Sequence, residues 1–157
     1  MIFVILGSQK FQFNRLLRKL DELLEQGIVK EQIFAQIGYS DYRPIHYEYK
    51  DFLDRDRFAL MLDKCETVIT HGGTGAIISA IKKGKKVIAV PRLASYGEHV
   101  DNHQLQLINQ FDEMQLICSC KDIDKLNDAM KEVTVTEYRN YESNTMTIIK
   151  ALVSYIE

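Results

Sequence analysis

The run Thr70-His71-Gly72-Gly73-Thr74-Gly75-Ala76 places an imidazole directly before a glycine turn. It follows a short apolar segment, Val68-Ile69, and opens an apolar-periodic one, Ile77 to Ile81, which is the pattern of strand, turn and helix start. A helix start leaves backbone N–H groups unpaired at its positive end, and these suit an anion such as phosphate. A histidine at that point adds a ring N–H. A second polar stretch follows another apolar run, Val87 to Val90: Pro91-Arg92, then Glu98-His99-Val100-Asp101-Asn102-His103-Gln104. Two polar loops at the ends of neighbouring strands predict one site, with the chemistry of a nucleotide diphosphate and the group it carries.

Each motif also has a plainer reading. Gly72-Gly73-x-Gly75 is neither a P-loop, because no Gly-Lys-Ser/Thr follows, nor a dinucleotide fingerprint, because no glycine stands three residues after Gly75. Taken alone it is a tight turn. His99 and His103 stand four apart and would share one helix face. With Asp101 and His71 they offer a ligand set for a metal-dependent hydrolase, but no HExxH pattern supports one and no metal is expected. The same run also reads as a polar helix start capped by Asp101 or Asn102. A third reading is sugar recognition, since the Gln104 amide, next to His103, offers both donor and acceptor to vicinal hydroxyls. The basic turn Lys82-Lys83-Gly84-Lys85-Lys86 complements a helix dipole and would exert at most a weak pull on anionic lipid. Tyr39, Tyr42, Tyr47 and Tyr49 read as packing residues.

These residues need a scaffold, and the periodicity supplies one. It predicts strands at 2–6, 33–37, 45–49, 68–70, 87–90 and 116–118, and helices at 13–24, 58–62, 74–83, 100–111, 123–130 and 138–156. Strand and helix alternate throughout, so the expectation is one α/β domain over 1–157, a parallel sheet with helices on both faces. In such sheets ligands lie beyond the carboxyl ends of the strands. The loops at 7–10, 38–41, 71–75 and 91–104 all fall on that edge. The chain has 157 residues, 46% hydrophobic and 27% charged, enough for one real core. A net charge of −2 excludes nucleic acid as an expected partner. Cys65, Cys118 and Cys120 lack metal-type spacing and read as reduced thiols. No run approaches the ~20 apolar residues of a membrane span, and no leader is visible. A cytoplasmic chain is expected, held at a membrane by a partner if it works there.

The ordered set Gly7-Ser8-Gln9, Gln36-Ile37-Gly38, His71-Gly72-Gly73-x-Gly75, Gly84-Lys85, Val90-Pro91-Arg92 and His99-x-Asp101-Asn102-His103-Gln104 resembles the family 28 glycosyltransferase C-terminal domain. That domain is the donor half of GT-B enzymes. The similarity runs over about residues 1 to 120. In length and wording the chain is similar to the small subunits of split members. These include bacterial capsule or exopolysaccharide β-1,4-galactosyltransferases and glucuronosyltransferases, and the eukaryotic dolichol-linked GlcNAc transferase.

The resemblance implies a Rossmann-like fold and a UDP-sugar as substrate, with no cofactor. It implies that Gly7, Ser8, His71, Gly72, Gly73, Thr74, Gly75 and Ala76 hold the diphosphate. Ser79, Gln36 and Gly38 would meet the ribose and uridine; many relatives carry Glu at the Ser79 position, and a hydroxyl replaces one of its bonds. Pro91, Arg92, His99, Asp101, Asn102, His103 and Gln104 would meet the sugar. It also implies an inverting transferase, with galactose the first expectation for the hexose and GlcNAc or glucuronate next. Such a chain would be active with a membrane-anchored acceptor subunit that carries the catalytic base and the lipid-linked sugar acceptor. The contrasting expectation is a non-catalytic accessory subunit that binds nucleotide or stabilises a partner.

Overall fold

Ile2–Ile5 forms the central strand, β1, and all four of its residues are buried. Its side chains alternate between two cores. Ile2 and Val4, continued by Leu6, pack with Leu16, Leu17 and Leu20 and with Leu126, Met130 and Val133. Phe3 and Ile5 pack with Ile77, Ala80 and Ile81 and with Ile108 and Phe111. A strand covered on both faces must be apolar throughout, which is why no alternation shows in its sequence.

The structure, a computed structural model, describes residues 1–99, 102–140, 142, 147, 150, 151 and 154. After β1 come α1 (Asn14–Glu25), β2 (Ile33–Gln36), β3 (Glu48–Lys50), α2 (Arg55–Lys64), β4 (Thr67–Thr70), α3 (Thr74–Lys82), β5 (Lys86–Ala89), α4 (His103–Glu113), β6 (Cys118–Ser119) and α5 (Leu126–Val135). Short 3-10 turns at Ala94–Tyr96 and Ile123–Lys125 precede α4 and α5. The strand order is β3-β2-β1-β4-β5-β6 and every pairing is parallel. Ile2 pairs with Ile33 on one side and Thr67 on the other. The order reverses between β1 and β4, and the crevice at their carboxyl ends is the ligand position of such sheets.

Some boundaries differ from the periodicity. The third strand begins at Glu48 rather than residue 45, because Asp21 on α1 accepts the N–H groups of Ile45 and His46 and holds that stretch as a loop. Helix α2 starts at Arg55 instead of residue 58, since Asp54 caps it through the N–H of Arg57 at 2.8 Å. Helix α4 starts at His103, not residue 100. The last helix does not begin at 138: residues 136–140 are non-helical, and Arg139 N–H donates to Gln115 O at 2.8 Å. Thr147, Lys150, Ala151 and Ser154 are helical and exposed, while the apolar stripe expected at 149, 152, 153 and 156 lies outside the described residues. No helix among the described residues is long and apolar enough to cross a membrane.

Candidate functional site

The end of β4 is pinned before the site begins. Thr70 is fully buried, and its hydroxyl donates to Ile5 O on β1 at 2.7 Å. This bond ties the two strands together at the switch point, one residue before His71. The His71 ring is 6% exposed and lies between two glycines. A Cβ on Gly7 would stand 2.6 Å from His71 Nε2, and one on Gly73 would stand 2.8 Å from the same atom. Any side chain at either position would displace the imidazole. Gly7 is doubly required, since its φ of +72° is in the left-handed region that other residues resist. The Nε2 edge of the ring therefore lies against the backbone of both turns.

Helix α3 opens beside that edge. Gly73 is its N-cap and no side chain caps it; the first intrahelical bond runs from Ile77 N–H to Gly73 O. The N–H groups of Thr74, Gly75 and Ala76 thus have no intrahelical acceptor. Gly75 is exposed and a Cβ there would meet nothing within 4 Å. Ser8 is exposed on the loop after β1. Among the expected diphosphate residues, the structure thus brings Gly7, His71 and Gly73 into contact at the foot of α3.

Behind His71 stands a buried polar layer. Gln104 is 5% exposed, and its Oε1 accepts the N–H of Arg92 at 3.4 Å. Its Nε2 lies 3.4 Å from His71 Nδ1. Gly72 admits it, since a Cβ there would stand 2.5 Å from Gln104 Cβ. Arg92 is 1% exposed. It donates to Leu6 O at 2.5 Å, Phe11 O at 2.7 Å and Glu98 O at 3.4 Å, and its guanidinium lies 5.4 Å from the centre of the Phe13 ring. Its Nε has no partner among the described residues. The Glu98 side chain, 1% exposed, takes Arg15 in a fork, Nε and Nη2 each at 3.0 Å, and accepts the N–H of Leu93. Pro91 O accepts Arg15 Nη2 at 3.3 Å. This layer clamps the β1–α1 loop to the β5–α4 loop.

The electrostatics follow from burial. Desolvation, aided by the charge of Arg92, pushes the His71 pKa from 6.5 down to about 3, so the ring is neutral at ordinary pH. Burial also lowers Arg92 to about 10, partly offset by Glu98; it stays charged.

The remaining expected residues are spread more widely. Gln36 is buried and its Oε1 accepts Leu53 N–H at 3.1 Å, so that oxygen braces the β3–α2 loop. Gly38 abuts Gly7, whose carbonyl would be 2.8 Å from a Cβ on it. Ser79 is half-buried on the second turn of α3. His99 does not share a helix face with His103, because α4 begins only at His103; its ring stacks on Phe11 at 5.3 Å. Asn102 occupies the N-cap position without capping, since its Oδ1 accepts the N–H of Ala94 instead. Asp101 and the His103 side chain lie outside the described residues. Among the described residues no three His, Cys, Asp or Glu side chains converge in a way that would hold a metal. Arg15 is not legible as a site residue, because one of two arginines within a leucine-rich helix carries no sequence signal.

The chain is similar to known glycosyltransferase proteins in sequence and in fold. The model of the glycosyltransferase family 28 C-terminal domain matches residues 1–157. The human UDP-N-acetylglucosamine transferase subunit ALG13 is 31% identical over 77 residues, 48% of this chain and 6% of that protein. Its Kluyveromyces lactis counterpart is 33% identical over 60 residues, 38% of this chain and 28% of that protein. The chain therefore matches less than a third of the length of these curated relatives. The NMR structure of ALG13 superposes with a TM-score of 0.64 at 20% identity, covering 99% of this chain and 96% of that one. Acinetobacter baumannii MurG gives 0.59 at 18% identity, covering 96% of this chain and 49% of that one. SnogD of Streptomyces nogalater, a glycosyltransferase, gives 0.60 at 14% identity, over 99% and 39%. These structures share the fold. The family model runs the full length of the chain, through the glycine cradle and the buried loop clamp, and the chain belongs to the glycosyltransferase family 28 C-terminal domain.

Proposed function

We propose that this chain binds the UDP-sugar donor of a two-component inverting glycosyltransferase. The hexose passes to a lipid-pyrophosphate-linked sugar presented by a membrane-anchored partner subunit. The observation that carries this is the neutral His71 in its glycine cradle, at the switch point and against the open first turn of α3. In transfer, an acceptor oxygen attacks the anomeric carbon, the bond to the diphosphate breaks, and negative charge grows on the departing UDP. Donors held rigidly at that spot stabilise the charge as it develops. His71 Nε2 and the N–H groups of Thr74, Gly75 and Ala76 are such donors, with Gly7 and Ser8 beside them. The acceptor's proton goes to a base on the partner. No cofactor takes part.

Ser79 on α3 and the backbone of Gln36 and Gly38 would flank the ribose and uridine. Of the sugar residues, Arg92 and Gln104 are turned into the protein and act from behind, while Asn102 is exposed at the rim. Both curated relatives are named as subunits of a UDP-N-acetylglucosamine transferase. That supports UDP as the nucleotide and a second subunit as the partner, and it sets N-acetylglucosamine beside galactose as the hexose to compare.

Amide NMR tests the site directly. UDP should shift the resonances of Gly7, Ser8 and Gly73 to Ala76. Saturating UDP that leaves these unmoved would defeat the proposal. Ser79, which offers a hydroxyl where many relatives have a carboxylate, favours a second reading: a non-catalytic subunit that binds nucleotide and stabilises its partner. Turnover by the reconstituted pair with wild-type chain and with His71→Ala separates the two. Loss of turnover with His71→Ala in an intact complex supports the catalytic reading, and unchanged turnover supports the accessory one.

A further inference from the structure

We propose that Gln104 is a positioning residue that keeps the single proton of the His71 ring on Nε2, through a relay that starts at the backbone N–H of Arg92. The N–H of Arg92 can only donate, so the atom it meets at 3.4 Å must be the amide oxygen of Gln104. That choice orients the amide. The group 3.4 Å from His71 Nδ1 is then the NH2, which can only donate, and Nδ1 must accept. A neutral imidazole carries one proton, and it is left on Nε2. The opposite orientation would set two donors against each other at Arg92 and strand a buried N–H.

The surroundings hold the relay in place. Gln104 is buried with its Cβ against Gly72, where no side chain fits. Arg92 is fixed in turn by the carbonyls of Leu6, Phe11 and Glu98. Burial beside the Arg92 cation keeps the ring from taking a second proton. The Nε2 edge lies against Gly7 and Gly73, so the relay places an N–H where the two turns meet. That this N–H serves a diphosphate rests on the function proposed above; the placement of the proton does not.

The test is nitrogen NMR of the intact chain labelled with 15N-histidine, at pH 7 without ligand, followed by titration with UDP. The wild type should show one neutral tautomer at His71, with Nε2 protonated and Nδ1 bare. Gln104→Met, which fills the same space without the amide, should release the ring into a mixture of tautomers and weaken UDP binding about tenfold. Gln104→Glu keeps an acceptor for Arg92 N–H and should draw a proton onto Nδ1; it serves also if the Met variant does not fold. A wild-type ring protonated on Nδ1, or a Met variant that retains the single Nε2–H form, would overturn the proposal. A tautomer change with unaltered UDP affinity would uphold the relay and count against the diphosphate reading instead.

Discussion

His71 occupies the space that a side chain on Gly7 would need: a Cβ there would stand 2.6 Å from Nε2 of the imidazole. Two loops separated by more than sixty residues of sequence thus meet through the imidazole, because Gly7 has no Cβ. The contact fixes how closely the β1–α1 loop approaches the foot of α3.

Substitutions in the glycine turn should therefore separate into two classes. Gly7→Ala combines a left-handed φ of +72° with a clash on His71. It should cost at least about 1–2 kcal/mol, and Gly73→Ala should also destabilise through its overlap with the same ring. Gly75→Ala meets nothing and lies in α3, so it should leave stability unchanged or raise it by up to about 1 kcal/mol. Urea denaturation of the three variants checks this ordering. Equal losses at all three positions would mean that the ring contact does not shape the turn.

The depressed pKa of His71 has a defined pH signature. In the unfolded chain the ring takes up a proton near pH 6.5, whereas in the folded chain it does so only near 3. Between those values the unfolded state binds the extra proton, so stability falls as pH drops through that window. The slope from this group alone is about 1.4 kcal/mol per pH unit. Stability of His71→Gln, measured against pH in the same buffers, should lack that component; identical slopes would show that His71 titrates normally.

Glu98 is expected to matter out of proportion to its place in a loop. Its carboxylate is 1% exposed and holds Arg15 in a fork next to the buried Arg92. Glu98→Ala would leave the Arg92 guanidinium buried without its nearby counter-charge, at a cost of about 3 kcal/mol. Glu98→Gln keeps the shape and isolates the charge. Thermal unfolding of both variants checks the point, and a loss below about 0.5 kcal/mol in each would place the pair among weak surface ion pairs.

Transfer should require a second protein. The purified chain with UDP-sugar and a lipid-pyrophosphate acceptor in detergent should show no turnover, and addition of a membrane-anchored partner subunit should restore it. Full activity from this chain alone would remove the two-component proposal.

Much of this was legible from pattern. The apolar runs at 2–6, 33–37, 68–70 and 87–90 mark buried parallel strands, and the loops that follow them share one edge of the sheet. His71 is marked by its place before a glycine turn, where the plainer reading is a capping or core histidine. The direction of side chains was not legible. Gln104 and Arg92 read as polar residues available to a sugar, yet α4 begins late enough to turn Gln104 inward, and Arg92 is captured by carbonyls from distant parts of the chain. Asn102 read as a cap, but its side chain found the N–H of Ala94 first. Such choices depend on which backbone groups arrive nearby, and residue type alone does not specify that.

The His71 cradle is proposed to bind the diphosphate of the donor. Isothermal titration of UDP into the wild type and into His71→Ala tests it most directly. Loss of a buried hydrogen bond to a charged group should weaken binding by about 1–3 kcal/mol, roughly 5- to 150-fold, with the fold retained. Equal affinity for UDP in the two proteins would show that His71 does not hold the diphosphate.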